Sequence, residues 1–408
     1  MTAIAEETTQ TMQPATAAAI SGVVDLGDGR GFLRTAGYRR STADIPISPT
    51  QVRQYGLRSG DHLEGTAGTR PVKAQPDKPP QGKAQSGQTQ PNKARPGTAQ
   101  EGKTLLTVES VNGLPVAEAR QRPDFDSLTP IYPNQRFRLE DGDPSRTARI
   151  IDLVSPIGKG QRGLIVAPPK AGKTTVLKTI AHAIATAYPE VHLMLVLVGE
   201  RPEEVTDLRR TVRGEVIAST FDQSPADHIK AAELAIERAK RLAELGRDVV
   251  VMLDSLTRLG RAYNLAAPAS SRTLTGGVAV SALQPPRQFL GAARCLEEGG
   301  SLTILSTALI DTGSQLDNVL FEEFKGTGNM EIHLDRKLSD KRVFPAIDMQ
   351  KSGTRKEELL MPREDLNRVW VLRKVLAPLS PTEAMELLLD KMSKSKSNAD
   401  FLGSMQKG

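Results

Sequence analysis

The chain has 408 residues, of which 38% are hydrophobic, and this is enough for two or three domains with cores of their own. Its net charge of +6 favours an anionic partner, or else it reflects only a solvated surface. The single cysteine, Cys295, excludes an intrachain disulfide and a cysteine-based metal cluster, and it fits a reducing compartment.

The N-terminal segment does not look like a targeting signal. It lacks the basic start and the apolar run of a secretory signal, and no apolar stretch in the chain reaches the roughly 18 residues that a membrane span needs. We therefore expect neither export nor membrane insertion. Residues 1–20 are rich in Thr, Ala and Gln without a hydrophobic period, which predicts disorder.

Residues 21–118 predict a small β-domain. Short β-like runs, among them SGVVDL, GRGFLRTAGY and TLLTVESVNG, are broken by Gly, Asp and Pro. Four or five such strands in so short a span favour a small β-barrel such as an OB-fold.

A low-complexity insert of Pro, Gly, Gln, Lys and Ala interrupts this barrel at residues 66–103. It has too few large apolar side chains to form a core, so we predict that it is disordered. Seven Lys or Arg residues stand there against two acidic residues, so most of the net positive charge lies in the insert. The insert is either a solvated linker or an auxiliary contact to a polyanion such as nucleic acid.

After a connector at residues 119–140, strand and helix patterns alternate through residues 141–408, which predicts an α/β domain with a parallel sheet. The clearest helix begins with Ser224 as N-cap and Pro225 in its first turn, and it ends before Gly246. Continuous apolar runs predict five strands buried on both faces. They are residues 164–166, 193–198, 216–220, 249–253 and 302–308.

The run LIVAPPKAGKTTVL places a Gly-Lys-Thr loop between a strand and a helix, which is the setting of a phosphate-binding loop. Gly172 lets the backbone approach a phosphate, Lys173 would reach the β and γ phosphates, and Thr174 would ligate Mg²⁺. The general pattern begins with glycine, whereas Ala167 stands at that position here. The alternative is a chance turn, which the flanking strand and helix disfavour.

Two carboxylates also follow apolar strands. Asp254 comes at the carboxyl end of its strand, where open α/β sheets bind ligands, and it suits a contact to Mg²⁺ through the water bound to that ion. Glu200 emerges at another strand end and could polarise an attacking water. The alternative for Glu200 is an exposed ion pair with Arg201.

Other candidates lie further along the chain. Arg342 and Arg355 could each act on a neighbouring subunit's nucleotide as an arginine finger, or be ordinary surface residues. Phe344 could pack on an adenine or sit in a core. The glycine-marked loops at residues 270–282 and 311–317 could contact a nucleic-acid backbone or simply connect elements.

Several motifs together resemble the Rho family of bacterial transcription termination factors. They are SPIGKGQRGLIVAPPKAGKT, ERPEEVT, GEVIASTFD, LDSLTRLGRAYN, LTGGV, EEFKGTGNMEIHLDRK and KRVFPAIDMQKSGTRKEELL. The resemblance runs from about Gly22 to the end of the chain, the insert excepted, and in that family the loop itself begins Ala-Pro-Pro-Lys. It implies an OB-fold followed by a RecA-like P-loop NTPase domain.

The resemblance also implies a function. It indicates a bacterial cytoplasmic homohexamer that binds single-stranded nascent RNA and hydrolyses ATP with Mg²⁺. Such a ring translocates 5′ to 3′ and releases the transcript from RNA polymerase, with no part played by a membrane.

Roles are carried over residue by residue. Lys173 would bind phosphate, Glu200 would be the catalytic glutamate, and Asp254 would hold Mg²⁺ with Thr174. Arg355 would be the arginine finger, assisted by Arg342. The full set of implied ATP contacts is Gly158, Lys159, Gly160, Gln161, Arg162, Gly163, Pro169, Lys170, Ala171, Gly172, Lys173, Thr174, Thr175, Arg201 and Phe344. The implied OB-fold contacts to RNA are Gly29, Arg30, Gly31, Phe32, Leu33 and Arg34. The implied RNA contacts in the channel loops are Arg272, Thr273, Thr275, Gly276, Thr312 and Gln315.

Three positions depart from the family pattern. Arg30 and Pro46 stand where aromatic residues are expected, and Gln315 stands where many relatives have lysine. Because a stacked base contributes about 1–3 kcal/mol, losing two aromatic platforms should weaken the usual pyrimidine preference. Gln315 removes one electrostatic contact to RNA, while Arg272 keeps a positive charge in the other loop.

Two other functions stay open. One is a rotary or protein-export ATPase built on the same RecA-like core, against which the OB-like GFLR strand argues. The other is an RNA-binding hub that has lost hydrolysis, against which the set of Lys173, Glu200, Asp254 and Arg355 argues.

Deleting residues 69–101 tests the basic insert. If the insert contacts RNA, the deletion weakens RNA binding and lowers its dependence on salt, because fewer phosphate contacts release counterions. Equilibrium RNA binding over a salt series measures both quantities. Unchanged affinity and unchanged salt slope would show that the insert is only a spacer.

Overall fold

The computed structural model describes residues 18–27, 29–71, 101–274 and 276–405, without the side chains of residues 69–71 and 101–103. The described chain divides into two compact units, one within residues 1–36, 40–58 and 62–120 and the other formed by residues 37–39, 59–61 and 121–408. The disorder predicted for residues 1–17 lies outside the described residues. The strand that begins at Ala18 shows that the prediction was wrong for residues 18–20.

The first unit is a curled antiparallel sheet in the order β3-β2-β1-β4-β5-β6, counted over the described residues. β3 also packs close to β5, so the sheet closes back on itself, as predicted for an OB-fold barrel. The strands are β1 Ala18–Gly27, β2 Arg30–Arg34, β3 Ile45–Ile47, β4 His62–Pro71, β5 Glu101–Val111 and β6 Leu114–Pro115. The helices are α1 Pro49–Tyr55 and α2 Val116–Ala119.

Alternation along these strands decides which face is buried. Val24 pairs with Leu33, and Leu33 pairs with Ile45, so the three side chains point to one face and form part of the core. Phe32 lies on the opposite face, opposite Pro46 of β3.

The predicted limits of the insert are wrong at both ends. β4 continues to Pro71 and β5 begins at Glu101, with backbone pairing from Thr66–Thr107 to Pro71–Glu101. Backbone hydrogen bonds hold this ladder, and they need no large apolar side chains, so composition did not reveal it. Residues 72–100 of the insert lie outside the described residues.

The second unit is an α/β domain, and the following bounds refer to its described residues. Its strands are β7 Pro130–Ile131, β8 Arg136–Phe137, β9 Ile157–Gly158, β10 Arg162–Ala167, β11 His192–Glu200, β12 Glu215–Thr220, β13 Asp248–Asp254, β14 Thr273–Leu274, β15 Val278–Ala279, β16 Arg294–Leu296, β17 Ser301–Leu309, β18 Met330–Leu334 and β19 Ile347–Thr354. Its helices are α3 Arg146–Val154, α4 Lys173–Ala187, α5 Pro202–Thr211, α6 Pro225–Ala243, α7 Leu256–Ala266, α8 Gln284–Gly291, α9 Gln315–Lys325, α10 Arg336–Asp340, α11 Arg363–Leu376, α12 Pro381–Ser393 and α13 Asn398–Ser404.

The central sheet has the order β12-β11-β13-β17-β10-β18-β19, and all neighbours are parallel except the last pair. The five predicted strands correspond to β10, β11, β12, β13 and β17, so the predicted parallel sheet is confirmed. Leu195 and Met252 face the core that includes α3 and α4, while Val196 and Val251 on the other face are also buried. Burial on both faces explains why these strands are continuously apolar.

Residues 121–140 are packed into the second unit rather than forming a loose connector. β7 pairs with β16 and β8 pairs with β9. Phe125, Phe137 and Leu139 are fully buried. This segment therefore belongs to the α/β domain.

The predicted helix cap is confirmed. The Ser224 side chain accepts a hydrogen bond from the Asp227 amide, and the Asp227 side chain accepts one from the Ser224 amide, which forms a capping box. Pro225 occupies the first turn of α6, where its missing N–H has no cost.

Parallel strands give the sheet two distinct edges. We name the carboxyl edge as the side on which β10, β11, β13 and β17 end, and the amino edge as the side on which they begin. Open parallel sheets bind ligands beyond the carboxyl ends of their strands.

Candidate nucleotide site and nucleic-acid interface

The loop between β10 and α4 forms an open cradle at the carboxyl edge. Ala167 is the last residue of β10, fully buried and paired with Leu309, so this position has extended backbone and does not require glycine. Gly172 has a φ of 88°, and a Cβ atom added there would meet nothing within 4 Å. No side chain caps the start of α4, so its first amides and its dipole face the loop and favour an anion.

Lys173 joins two carboxylates at this edge. Its Nζ lies 3.0 Å from Glu200 Oε1 and also bonds Asp254 Oδ1. Glu200 and Asp254 each expose only 2% of their surface. The three predicted residues therefore converge from the ends of β10, β11 and β13, as expected for a parallel sheet.

Their charges perturb one another. Burial raises the pKa of the Glu200 carboxyl and the charge of Asp254 raises it further, while Lys173 and Arg258 oppose this without cancelling it. Burial alone would lower the pKa of the Lys173 ammonium, but Asp254 and Glu200 outweigh burial and raise its pKa. A carboxylate with a raised pKa is suited to accept a proton near neutral pH.

Two partners of this cluster were missed from sequence. Thr307 Oγ1 donates to Asp254 Oδ1 over 2.7 Å, and Arg258 Nη1 lies 2.9 Å from Glu200 Oε1 and also donates to the Gly199 carbonyl. The available signals were a polar residue within the apolar run of β17 and an arginine four residues after Asp254.

The loop of Gly158, Lys159, Gly160, Gln161, Arg162 and Gly163 does not join this cradle. It leads from β9 into the first two residues of β10 and lies at the amino edge, so most of β10, a strand about 20 Å long, separates it from the phosphate loop of the same chain. Gln161 is buried and donates to Asn329 Oδ1 over 2.6 Å, and Lys159 pairs with Asp248 at 2.6 Å. The prediction that this loop lines the chain's own nucleotide pocket is therefore wrong.

Arg355 lies at that same amino edge. Its backbone amide donates to the Asn329 carbonyl over 2.8 Å, and the Arg162 amide donates to Asn329 Oδ1 over 2.9 Å. Burial lowers the pKa of Arg162, and the nearby charges of Arg294 and Arg355 lower it further. The amino edge thus gathers positive charge that faces away from the chain's own Lys173.

Arg342 and Arg355 lie at opposite edges of the sheet. β19 runs antiparallel to β18, with Ile347 opposite Leu334 at the carboxyl edge, and its eight residues span about 27 Å before Arg355. Arg342 and Arg355 of one chain therefore do not reach the same nucleotide, so the prediction that Arg342 assists Arg355 can hold only between two copies. Arg342 and the half-exposed Phe344 precede β19, at the edge that holds Lys173.

The remaining predicted ATP contacts surround the loop. Pro169, Lys170, Thr175 and Arg201 are exposed, and Lys170 has a φ of 65°. Ala171 is buried, so it can contribute only backbone to a phosphate site.

The OB-fold residues divide into exposed and buried groups. Gly29 and Arg30 are exposed and Phe32 is half-buried, so these can meet RNA. Leu33 is fully buried in the core, and a Cβ at Gly31 would lie 3.0 Å from the Ile47 carbonyl oxygen. The prediction that Leu33 contacts RNA through its side chain is wrong, because strand alternation points it inward.

Arg34 is also buried, with 5% of its surface exposed. Its Nε donates to Asp25 Oδ2 over 2.9 Å, and its Nη1 bonds Asp44. Its guanidinium lies 5.1 Å from the centre of the Phe32 ring. Arg34 therefore supports the Phe32 ring. Its charge is already paired with two carboxylates, which contradicts the prediction of a direct contact with RNA phosphate.

The two predicted channel loops meet at the carboxyl edge. Arg272 and Thr273 are exposed in the hairpin formed by β14 and β15, and Thr275 lies outside the described residues. A Cβ at Gly276 would lie 3.3 Å from the backbone of Gln315, so the hairpin tip rests on the start of α9.

Thr312 is less available than predicted. Its hydroxyl donates to Asp317 Oδ2 over 2.6 Å, and Arg261 Nε donates to Asp317 Oδ1 over 2.7 Å. Asp317 is fully buried, so this network anchors the second loop to α7.

Comparison with known proteins decides the family. Residues 20–117 match the family described as Rho termination factor, RNA-binding domain, and residues 147–354 match the ATP synthase alpha/beta family, nucleotide-binding domain. A transcription termination factor Rho from Streptosporangium roseum is 53% identical over 94% of this chain and 91% of its own length. The chain belongs to the Rho family of transcription termination factors.

A further relative and a solved structure are also similar to this Rho-family chain. The transcription termination factor Rho of Streptomyces lividans is 56% identical over 95% of this chain, and the chain spans 52% of that relative's length. A solved ATPase from the type III secretion system of pathogenic bacteria shares the fold, with a TM-score of 0.57 and 25% identity over 69% of this chain and 87% of that one. The matched RNA-binding domain favours the Rho family over the export-ATPase alternative.

The family match and the geometry of the cradle both identify the second unit of this Rho-family chain as a nucleotide-binding domain. It is a nucleotide-binding domain of the ATPase type, preceded by an RNA-binding OB-fold. Among the helices that the structure describes, none combines the length and apolarity needed to cross a bilayer.

The raised pKa of Glu200 predicts the acid side of the pH profile for ATP hydrolysis. An ordinary glutamate protonates near pH 4.3, so a raised pKa means that the carboxylate is lost at a higher pH as the solution is acidified. Arg258→Gln removes a positive charge that favours the carboxylate. We expect this variant to move the acid limb of kcat to still higher pH.

The measurement is kcat against pH at saturating ATP and RNA. The matched control is Arg209→Gln, an exposed arginine of α5, which should leave the acid limb in place. An acid limb that stays fixed or moves to lower pH in Arg258→Gln would contradict the assignment.

Proposed function

We propose that the chain is an RNA-dependent ATPase that translocates 5′ to 3′ along single-stranded RNA and terminates transcription by removing the transcript from RNA polymerase. The observation that carries this proposal is the union of a matched Rho RNA-binding domain with a cradle in which Lys173, Glu200 and Asp254 converge. An RNA-binding domain alone does not require this triad, and an export ATPase does not require the OB-fold.

The residues of the cradle fit ATP and Mg²⁺. Gly172 leaves open space beside an uncapped helix start, and Lys173 supplies a positive charge. Thr174 and Asp254 would hold Mg²⁺, which when bound neutralises charge on the phosphates. Lys173 and Thr307 both donate hydrogen bonds to Oδ1 of Asp254, and these bonds orient the carboxylate towards the cradle.

The chain's own groups then have distinct tasks. Lys173 exchanges its carboxylate partners for phosphate oxygens, so Glu200 loses one of its two cations. Arg258 still contacts Glu200 and keeps its carboxylate in place. Glu200 accepts the proton of the attacking water, a task that its raised pKa favours.

We also propose assembly into a ring of six copies. Arg355 lies at the amino edge, a strand length away from the Lys173 of its own chain. It can complete a nucleotide site only on a neighbouring copy, as arginine fingers do in oligomeric ATPases.

RNA would meet the chain at two places. Arg30 and Phe32 present an exposed cation and one aromatic ring on the OB-fold, and Pro46 stands opposite Phe32 in place of a second ring. One aromatic platform favours weak base preference, since stacking on each ring contributes about 1–3 kcal/mol. The loops that hold Arg272 and Gln315 would contact RNA during translocation.

Lys173→Ala tests the ATPase assignment. We expect loss of RNA-stimulated hydrolysis by at least about a hundredfold, because the phosphates lose their charge partner and two buried carboxylates lose the cation that they share. RNA binding by the OB-fold should persist. ATP turnover with and without RNA, alongside RNA binding, measures both properties.

The control for this variant is Lys178→Ala on the same helix. Lys178 pairs with Asp207 at the surface and should be dispensable for turnover. Retained hydrolysis in Lys173→Ala would refute the assignment of the phosphate loop. Wild-type hydrolysis that does not respond to RNA would favour an export-type ATPase.

Mixing two inactive variants tests whether Arg355 acts between copies. Lys173→Ala and Arg355→Ala chains should each be inactive, but in a mixture roughly a quarter of the interfaces would combine an intact Lys173 with an intact Arg355. ATPase activity should therefore partly return on mixing. A chain with both substitutions, mixed with either single variant, should restore nothing, and equal lack of recovery in every mixture would count against action in trans.

A further inference from the structure

Asn264 makes an unusual pair of contacts near the end of α7. Its Nδ2 donates to the Gly277 carbonyl over 3.2 Å, and its Oδ1 accepts a hydrogen bond from the Ala279 amide over 2.7 Å. Both partners lie in the hairpin of β14 and β15. The backbone carbonyl can only accept and the backbone amide can only donate, so the two contacts define which way the side-chain amide points.

These two hydrogen bonds also fix parts of the hairpin that Asn264 does not contact. Ala279 pairs with Thr273 across the hairpin, and the Val280 amide donates to the Arg272 carbonyl over 3.0 Å. Holding Ala279 therefore holds the strand that carries Arg272. With two residues in each strand, the hairpin has little internal stability of its own.

The hairpin is also placed against the neighbouring loop. Gly276 has a φ of 87° and lies against the backbone of Gln315, where a Cβ would approach within 3.3 Å. α9 begins at Gln315 and is joined to α7 by the bond between Arg261 and Asp317. Both loops are thus anchored to α7, one through Arg261 and the other through Asn264.

The charge content of the loops makes this placement important. Residues 272–279 and 310–315 contain a single cation, Arg272, because glutamine occupies position 315. One arginine must supply the side-chain charge that the two loops offer to a phosphate backbone. The contribution of Arg272 depends on the hairpin being held in place, since an unanchored loop loses entropy when it is ordered on binding.

We propose that Asn264 is a positioning residue for RNA: it holds the β14–β15 hairpin so that Arg272 and the loop of residues 310–315 form one contact surface for the phosphate backbone of single-stranded RNA. This inference rests on the proposed RNA-dependent ATPase function. Asn264 itself does not touch RNA or ATP. It sets the geometry of the groups that do.

Asn264→Ala tests this role through RNA-stimulated hydrolysis. The RNA concentration that gives half-maximal stimulation should rise about tenfold, the effect expected from losing two ordinary hydrogen bonds that preorder the hairpin. The rate without RNA, the rate at saturating RNA and the melting temperature should stay at wild-type values. This split separates RNA positioning from a general structural role.

The neighbouring residue provides a matched control. Leu265 is 73% exposed, and Leu265→Ala should leave the half-maximal RNA concentration unchanged. Asn264→Asp keeps an acceptor for the Ala279 amide but removes the donor to Gly277 and adds a negative charge at the hairpin that holds Arg272. Its half-maximal RNA concentration should rise at least as far as in Asn264→Ala, with a larger effect at low salt.

A second measurement follows the clamp without RNA or ATP. Hydrogen exchange at the Ala279 amide should be faster in Asn264→Ala than in the wild type and in Leu265→Ala. Three results would overturn the proposal for Asn264→Ala. They are unchanged exchange at the Ala279 amide, an unchanged half-maximal RNA concentration, and a fall in the RNA-free rate or in the melting temperature. If wild-type hydrolysis ignores RNA, the proposed function itself fails, and the exchange measurement still shows whether Asn264 holds the hairpin.

Discussion

One ammonium shared by two buried carboxylates is the interaction around which the second unit is organised. Lys173 lies between Glu200 and Asp254, both almost fully removed from solvent. Without that cation, two negative charges would repel each other in a poorly screened site, at a cost of several kcal/mol. The same arrangement leaves Lys173 ready to exchange one set of negative partners for another, which is what a phosphate-binding lysine must do.

The parallel sheet makes this convergence possible. Three residues separated by up to about 80 positions meet because β10, β11 and β13 all end at one edge. The antiparallel strand β19 has the opposite effect, since it carries the chain from Arg342 at the carboxyl edge to Arg355 at the amino edge. Because β19 runs opposite to its neighbour β18, the sheet presents a phosphate cradle on one side and a cluster of arginines on the other. This division suits a site completed between copies of the chain.

The surfaces proposed to face RNA depend on similar supporting contacts. Arg34 is bonded to Asp25 and Asp44 and lies against the Phe32 ring, so the proposed base platform is supported by a buried ion-pair network. In the channel loops, Arg261 and Asn264 hold two short segments against α7. In each case a polar side chain holds another residue in place.

The local pattern of the sequence was sufficient to predict the main features of the α/β domain. Alternating strand and helix periods, the Gly-Lys-Thr loop, and carboxylates placed after apolar runs predict the parallel sheet and the meeting of Lys173, Glu200 and Asp254, because parallel strand ends share an edge. The capping box at Ser224 follows from residue types alone. The family resemblance then supplied the pairing with an RNA-binding OB-fold, which composition could only suggest.

Other features were decided by tertiary structure. Which edge a loop occupies depends on strand direction, so the loop of residues 158–163 and Arg355 could not be separated from the cradle by motif alone. Burial of Leu33 and Arg34 depends on strand register, which assigns neighbouring side chains to opposite faces. Arg258, Thr307 and Asn264 contact residues at least 13 positions away in the chain, and their residue types gave only weak signals of these contacts. Sequence thus determined which chemical groups the chain carries at its strand ends, and the packing of strands and helices decided which of them meet.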